Sequence, residues 1–187
     1  MSVITASTDT KLITGEELFA MGDIGPSELI DGKIVRVSPT SKQHGSVESR
    51  LDRALGGFVE EHRIGRVYVG EVGIYTRHNP DRVRGADLAF FSNAKIVADP
   101  SQGFWQVPPE LVVEIISPTD RWQDIRQKIE EYFSIGVLWV WVIEPDNRDI
   151  LVYHSATEMR KLIEGESLVG EGILEGFTLP VAELFAE

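Results

Sequence analysis

The chain has 187 residues, 42% of them hydrophobic, and a formal net charge of −12 at pH 7. This length and composition suit one folded domain with a full core, and the lack of cysteine excludes disulfides and thiolate metal sites. The acidic balance argues against a broad electrostatic grip on a nucleic-acid backbone, although an acidic metal site inside a local basic rim remains compatible with it.

No segment of the sequence predicts export or membrane insertion. The start, MSVITASTDTKLITGEELF, has no apolar stretch of the kind that a signal peptide carries, and the longest apolar run, VLWVWVI, is too short to cross a bilayer. We therefore expect a cytoplasmic protein without membrane contact. One domain is expected over residues 1–187, with a helix and a β-hairpin at about 12–40 as an N-terminal extension.

The N-terminal half predicts a short helix, a hairpin and a long helix. Thr14 and Glu17 in TGEELFAMG form a capping-box pattern. In SELIDGKIVRVSP, the Asp-Gly pair after the first apolar run is a hairpin turn signal. Apolar residues at spacings of three and four then predict a helix from His44 to His62.

The remaining chain alternates between strands and a second long helix. Residues with β-branched and aromatic side chains predict strands in RVYVGEVGIYT, ADLAFFS and ELVVEIIS. A helix is predicted from about Arg121 to Ile135, followed by a meander in VLWVWVIEP, DILVYHS and EMRKLIE and a last strand and helical turn in GFTLPVAELF. This order predicts an α/β (α+β) fold with a central mixed β-sheet flanked by helices.

Two acidic residues stand inside strands that are otherwise apolar, Asp87 in RGADLAFF and Glu114 in PPELVVEIISP. A buried carboxylate is costly unless it is paired or binds a cation. If the two strands are neighbours, both side chains can point into one cleft, where carboxylate oxygens suit Mg²⁺ or Mn²⁺. The alternative is that Asp87 caps a strand end and that Glu114 pairs with an arginine.

A lysine on the following helix completes this constellation. Lys128 lies at the border of the apolar stripe of its helix, so its stem can lie along that stripe while its ammonium enters a cleft. The alternative is a solvent-exposed ion pair with Asp124, one turn earlier. A metal that activates water beside an ammonium is suited to phosphodiester hydrolysis.

The run PPELVVEIISPTDRWQDIRQKIEEYFSIGVLWVWVIEP resembles the signature segment of the Uma2 family, and SELIDGKIVRVSP and the following HG resemble its N-terminal half. That family is placed in the restriction-endonuclease-like, PD-(D/E)XK nuclease superfamily. The resemblance implies a restriction-endonuclease-like fold, a Mg²⁺ or Mn²⁺ cofactor, and nucleic acid, in particular DNA, as the substrate.

On this resemblance, Asp87 matches the first acid of the superfamily pattern and Glu114 the second. The usual lysine would stand two residues after Glu114, where this chain has Ile116. Lys128 matches a lysine on the next helix, and we expect it to supply the same ammonium from a different anchor. Ala86 stands where many members have proline, a mild change because the carboxylate after it is kept.

Five further residues are candidates for supporting the metal or contacting the substrate: Glu71, His44, Glu48, Arg84 and Asp124. Glu71 would be a further metal ligand or an acid behind the ligands, His44 a phosphate contact or helix-terminal residue, and Glu48 an acid from the first long helix. For both glutamates the alternative is a solvent-facing side chain.

A small basic rim against phosphates is a further hypothesis. It would consist of Lys42, Arg82, Arg84, Arg121 and Arg126, for which ordinary surface charge is the alternative. Two tryptophans, Trp139 and Trp141, share one face of a strand and are expected to cover a helix or the partner in a homodimer.

The residues and the resemblance together predict a metal-dependent endonuclease. Asp87 and Glu114 would bind the metal, and Lys128 would act with them as a catalytic residue on the attacking water and the scissile phosphate. Two other functions stay open: a non-catalytic binding or assembly module on the same fold, and a hydrolase of small phosphodiesters.

Overall fold

The computed structural model describes residues 11–118 and 120–186. Its helices are α1 Gly15–Ala20, α2 Lys42–His62, α3 Asn93–Ala98, α4 Trp122–Ile135 and α5 Val181–Leu184. Its strands are β1 Ser27–Ile30, β2 Lys33–Arg36, β3 Gly65–Arg77, β4 Arg82–Ser92, β5 Leu111–Ile115, β6 Trp139–Glu144, β7 Asp149–Tyr153, β8 Met159–Leu162, β9 Ser167–Val169 and β10 Thr178–Pro180. Residues 1–10 lie outside the described residues, and part of the segment that was expected not to be a signal peptide falls there. Both ends of the expected domain, 1–187, also lie outside the described residues.

Eight strands form one mixed sheet, in the order β2-β1-β4-β5-β6-β7-β8, with β3 also paired to β4. β5 and β6 run parallel because α4 lies between them as a crossover, whereas β4 and β5 are antiparallel. The predicted α/β (α+β) fold with a central mixed sheet flanked by helices is confirmed. Among the described residues, no helix has the length and apolar character that a membrane span requires.

The two long helices cover opposite faces of the sheet. Leu51 and Leu55 of α2 belong to the same buried cluster as Leu88 and Phe90 of β4. Alternate residues of β4 point the other way, so Ala89 packs in the cluster on the α4 side. Asp87, two residues before Ala89, is thereby directed to the α4 side of the sheet.

α4 packs through one apolar stripe, formed by Ile125, Ile129 and Tyr132. These side chains lie against Val112 of β5 and Val142 of β6. Glu114 follows Val112 at the strand spacing of two and therefore also faces α4. The packing of α4 thus determines which side chains of this helix lie next to Asp87 and Glu114.

The tryptophan face is covered by the chain's own C-terminal segment. Trp141 stacks on Phe177 with ring centroids 6.1 Å apart. Trp139 lies so close to Gly172 that a Cβ on that glycine would stand 2.6 Å from the indole ring. These contacts account for the packing of both tryptophans within the chain, and the homodimer stays a prediction.

β4 begins four residues earlier than ADLAFFS because Arg82 and Arg84 are buried in it. Arg84 pairs with Glu28 of β1 at 2.8 Å and with Glu131 of α4 at 2.7 Å, and Arg82 pairs with Glu131 and Asp31. An apolar pattern cannot reveal a strand whose buried residues are charged. These ion pairs connect the β1–β2 hairpin to α4.

Replacing Glu131 with Gln should destabilise the fold by about 1.5–3 kcal/mol, because each of the two buried guanidinium groups would lose one of its two carboxylate partners. Urea denaturation monitored by circular dichroism would measure the free energy of unfolding. The matched control is Glu130→Gln, at an exposed position of the same helix, where the expected change is within about 0.5 kcal/mol. Equal stabilities for the two variants would contradict a structural role for these ion pairs.

Candidate active site

Asp87 and Glu114 come together because their strands are antiparallel neighbours. The register pairs Leu88 with Val113, which places Asp87 directly across from Glu114 at the next position. Side chains at facing positions lie on the same side of a sheet, with Cβ atoms about 4.5–5.5 Å apart. Both residues line a cleft of about 730 Å³, and both are mostly buried, at 8% and 4% exposure.

Lys128 enters the cleft from α4 and contacts Glu114. Its ammonium donates hydrogen bonds to Glu114 Oε2 at 2.9 Å and to the carbonyl oxygen of Gly85 at 2.8 Å. It also lies 3.1 Å from Glu28 Oε1. The partners of Lys128 are therefore Glu114 and Glu28, and the alternative of a solvent-exposed pair with Asp124 is wrong.

Glu114 is held at both oxygens. Its Oε1 accepts a hydrogen bond of 2.7 Å from the Tyr132 hydroxyl, and its Oε2 accepts the bond from Lys128. Burial raises the pKa of Glu114 to about 7; the charge of Lys128 opposes this shift, and the charge of Asp87 adds to it. The alternative of an arginine partner for Glu114 is wrong, since its partners are a lysine and a tyrosine.

Asp87 lies inside β4 and does not cap a strand end. Its Oδ2 accepts a 2.6 Å hydrogen bond from the backbone N–H of Ile115, and its Oδ1 lies 3.1 Å from Nε2 of His44. Burial opposes protonation of the His44 imidazole, but the contact with Asp87 and the charges of Asp87, Glu48 and Glu71 prevail and raise its pKa. His44, in the first turn of α2, thus reaches across to Asp87.

A β-bulge in β3 stands opposite Asp87. Val69 pairs with Leu88 and Val72 with Ala86, so Gly70 and Glu71 together face the single residue Asp87. Both bulge residues have positive φ, 83° and 58°. Such a bulge redirects a side chain and interrupts the ladder, here beside the candidate site.

The bulge and α2 bring two more carboxylates toward Asp87. The Glu71 carboxylate lies over Gly85, where a Cβ would stand 2.3 Å from its Oε2. Glu48 accepts a hydrogen bond from the backbone N–H of Gly70 at 3.1 Å. Desolvation, followed by the charge of Asp87, raises the pKa of both Glu48 and Glu71. Glu48 is half-buried, whereas Glu71 is exposed at the border of the cleft, as the solvent-facing alternative expected for it.

The basic-rim hypothesis is wrong for Arg82 and Arg84, because their charges are neutralised by carboxylates. Arg84 borders the cleft but is bound to Glu28 and Glu131. Arg121 and Asp124 also line the cleft, and both are exposed. The cleft therefore presents mostly negative charge.

Sequence reasoning missed Glu28, which is buried in β1 and borders the same cleft. The signal that singled out Asp87 and Glu114, an acid inside an apolar strand, could also have identified Glu28, which lies in the short strand SELI. Sequence reasoning also missed Tyr132, whose ring belongs to the apolar stripe of α4 and whose hydroxyl contacts Glu114. Only the three-dimensional structure places these two side chains beside Lys128 and Glu114.

The donor set suits a hard divalent cation that keeps most of its waters. In the part of the chain that the structure describes, no group of three or more His, Asp or Glu side chains is arranged as a metal cage. Mg²⁺ usually takes only one or two protein carboxylates, which Asp87 and Glu114 can supply. Their oxygens are engaged by protein donors, so a cation would share them with Lys128, Tyr132 or His44.

Comparison with known proteins gives a family and a fold. The family model of Uma2, described as "Putative restriction endonuclease", matches residues 16–182. A solved structure described as a "putative nuclease belonging to DUF820", from Anabaena variabilis ATCC 29413, is 23% identical, with a TM-score of 0.77 and coverage of 92% of this chain and 97% of that one. At that identity the likeness shows the fold alone. A search of curated proteins found no match. Because the family model spans most of the chain, the protein belongs to the Uma2 family.

Proposed function

We propose that this protein is a metal-dependent endonuclease that hydrolyses phosphodiester bonds in nucleic acid, with DNA as its substrate. The observation that carries the proposal is the convergence of Asp87, Glu114 and the ammonium of Lys128 in one cleft. A buried carboxylate with a raised pKa beside a lysine, as at Glu114, is typical of catalytic sites. Membership of a family described as restriction endonucleases supports the same reaction class.

Asp87 and Glu114 are the residues that would hold Mg²⁺ or Mn²⁺. When bound, the cation would activate a water molecule and offset negative charge on the phosphoryl oxygens. Glu48 and Glu71 add negative charge around Asp87, which favours a cation at that side of the cleft. His44 would orient Asp87 through its 3.1 Å contact with Oδ1.

Lys128 would place a positive charge where the reaction develops negative charge. Its ammonium lies on Glu114 although its backbone belongs to α4. Ile116, at the position of the usual superfamily lysine, packs with the hydrophobic cluster on the same side of the sheet. Lys128 therefore supplies from the helix the charge that the strand lacks, and stabilisation of the transition state by such a charge raises kcat.

One observation favours the second candidate function, hydrolysis of small phosphodiesters. The net charge is −12, and two of the five arginine and lysine residues of the hypothetical basic rim are neutralised by ion pairs. A long nucleic acid is normally bound through many unpaired cationic side chains. Parallel assays with bis(p-nitrophenyl) phosphate and with single-stranded and duplex oligonucleotides would separate the two functions, because turnover of the small ester alone would reject the endonuclease.

Mn²⁺ should raise the melting temperature of the protein, and the increase should be larger at about pH 8 than at about pH 6. A proton and a cation compete for the Glu114 carboxylate, whose pKa is about 7, so the proton is held below that pH and released above it. Differential scanning fluorimetry at millimolar Mn²⁺ would measure the shift. In Glu114→Gln the pH dependence should become smaller, with only the contributions of His44, Glu48 and Glu71 remaining. An equal shift at both pH values in the wild type would count against Glu114 as a ligand.

Lys128→Ala should lower kcat about 100- to 1,000-fold while Mn²⁺ binding persists, since the ammonium acts on charge that develops in the transition state. Initial rates of oligonucleotide cleavage and calorimetric titration with Mn²⁺ would measure the two effects separately. Lys95→Ala is the matched control, because that lysine does not line the cleft. Full activity of Lys128→Ala would exclude Lys128 from catalysis.

A further inference from the structure

The Lys128 ammonium is shared between two carboxylates from different elements. It lies 2.9 Å from Glu114 Oε2 on β5 and 3.1 Å from Glu28 Oε1 on β1. Only 16% of the Lys128 side chain is exposed. A buried ammonium needs a nearby negative charge at all times, because unpaired burial is costly.

Glu28 keeps its position independently of Lys128. Its Oε1 also accepts a 3.1 Å hydrogen bond from the backbone N–H of Gly85, and its Oε2 accepts one of 2.8 Å from Arg84. Arg84 is held in turn by two hydrogen bonds to Glu131. The carboxylate is therefore fixed from behind, with one oxygen directed at the ammonium.

In the proposed function, the Glu114 carboxylate contacts two positive groups, the divalent cation and the Lys128 ammonium. A divalent cation at Asp87 and Glu114 would bind the same carboxylate that now neutralises the charge of Lys128. Without another anion, the ammonium would repel the cation or leave the cleft. Glu28 supplies that anion at a distance of 3.1 Å from the ammonium.

From these contacts we propose that Glu28 is a positioning residue, which retains Lys128 in the cleft while Glu114 binds a divalent cation. This inference rests on the metal site of the proposed function and extends it to the N-terminal hairpin. The β1–β2 hairpin is then part of the active site, because β1 carries the Glu28 carboxylate that neutralises Lys128 when the metal is bound. Glu28 acts through Lys128 and touches neither the metal nor the substrate.

The test is a double-mutant cycle on Mn²⁺ affinity, measured by calorimetry or electron paramagnetic resonance on the full chain. Glu28→Gln should weaken Mn²⁺ binding about 10- to 100-fold, as expected when a side chain supporting a metal ligand is lost. In the Lys128→Met background the same substitution should have little effect, because the repelling ammonium is absent. If Glu28→Gln fails to fold, Glu28→Asp is the second variant, because its shorter side chain keeps the negative charge but moves it away from Lys128. Glu28→Asp should lower Mn²⁺ affinity less than Glu28→Gln does. This loss should also vanish in the Lys128→Met background.

Asp31→Asn is the matched control. Asp31 lies in the turn of the same hairpin and pairs with Arg77 and Arg82, without contact to Lys128. Its substitution should leave Mn²⁺ affinity unchanged. With nucleic acid as substrate and saturating Mn²⁺, Glu28→Gln should lower kcat about tenfold or more and leave KM unchanged. A purely structural defect would instead lower the active fraction equally in the wild-type and Lys128→Met backgrounds.

The outcomes separate this inference from the proposed function. Equal losses of Mn²⁺ affinity from Glu28→Gln in both backgrounds, or no loss in either, would overturn the positioning role alone. A wild-type chain that binds Mn²⁺ with the expected coupling but cleaves no phosphodiester would overturn the nuclease and support the role of Glu28. A wild-type chain that binds no Mn²⁺ would overturn both.

Discussion

The buried ammonium of Lys128 is the point on which the arrangement of the cleft depends. Its oxygen neighbours come from β1, β4 and β5, and the lysine itself comes from α4. A charge in such surroundings is tolerated only when its partners are held in place. Because Glu28 and Glu114 lie on elements that are distant in sequence, their shared partner draws the hairpin, the central strands and the helix to one position.

The charges on the two sides of the cleft are compensated to different degrees. Around Glu28 and Lys128, each carboxylate has a cationic partner, and Arg84 continues the pairing to Glu131. Around Asp87, two further carboxylates, Glu48 and Glu71, have raised pKa values, and His44 is the basic side chain in contact with Asp87. This excess of negative charge is the physical basis for expecting a cation there, since a cation would relieve the repulsion between the carboxylates.

The position of a charged group in space matters more than the backbone atom that carries it. Ile116 follows Glu114 at the strand spacing of two and joins the hydrophobic cluster, whereas Lys128 extends from the helix above. A long flexible stem allows the ammonium to reach the carboxylate from that anchor. The hydroxyl of Tyr132, one turn later, donates a hydrogen bond to the other carboxylate oxygen of Glu114.

Local patterns in the sequence were sufficient for the fold class and for the three residues considered first. Helical spacing predicted α2 and α4, and a carboxylate within an apolar strand singled out Asp87 and Glu114. These signals are local because side-chain periodicity is a property of one element at a time. The short α3 and β9 were missed, since six and three residues carry too little periodicity to be recognised.

Pairing between elements could be decided only by the tertiary structure. The bulge opposite Asp87 depends on the register between β3 and β4, and the burial of Arg84 depends on carboxylates that lie 56 residues before it and 47 residues after it. No local pattern reports such distances. The sequence by itself determined which residues carry the charges, by setting acids and a lysine in apolar surroundings. The tertiary structure alone decided which charge meets which, because a buried charge is stable only beside the partner that the fold brings to it.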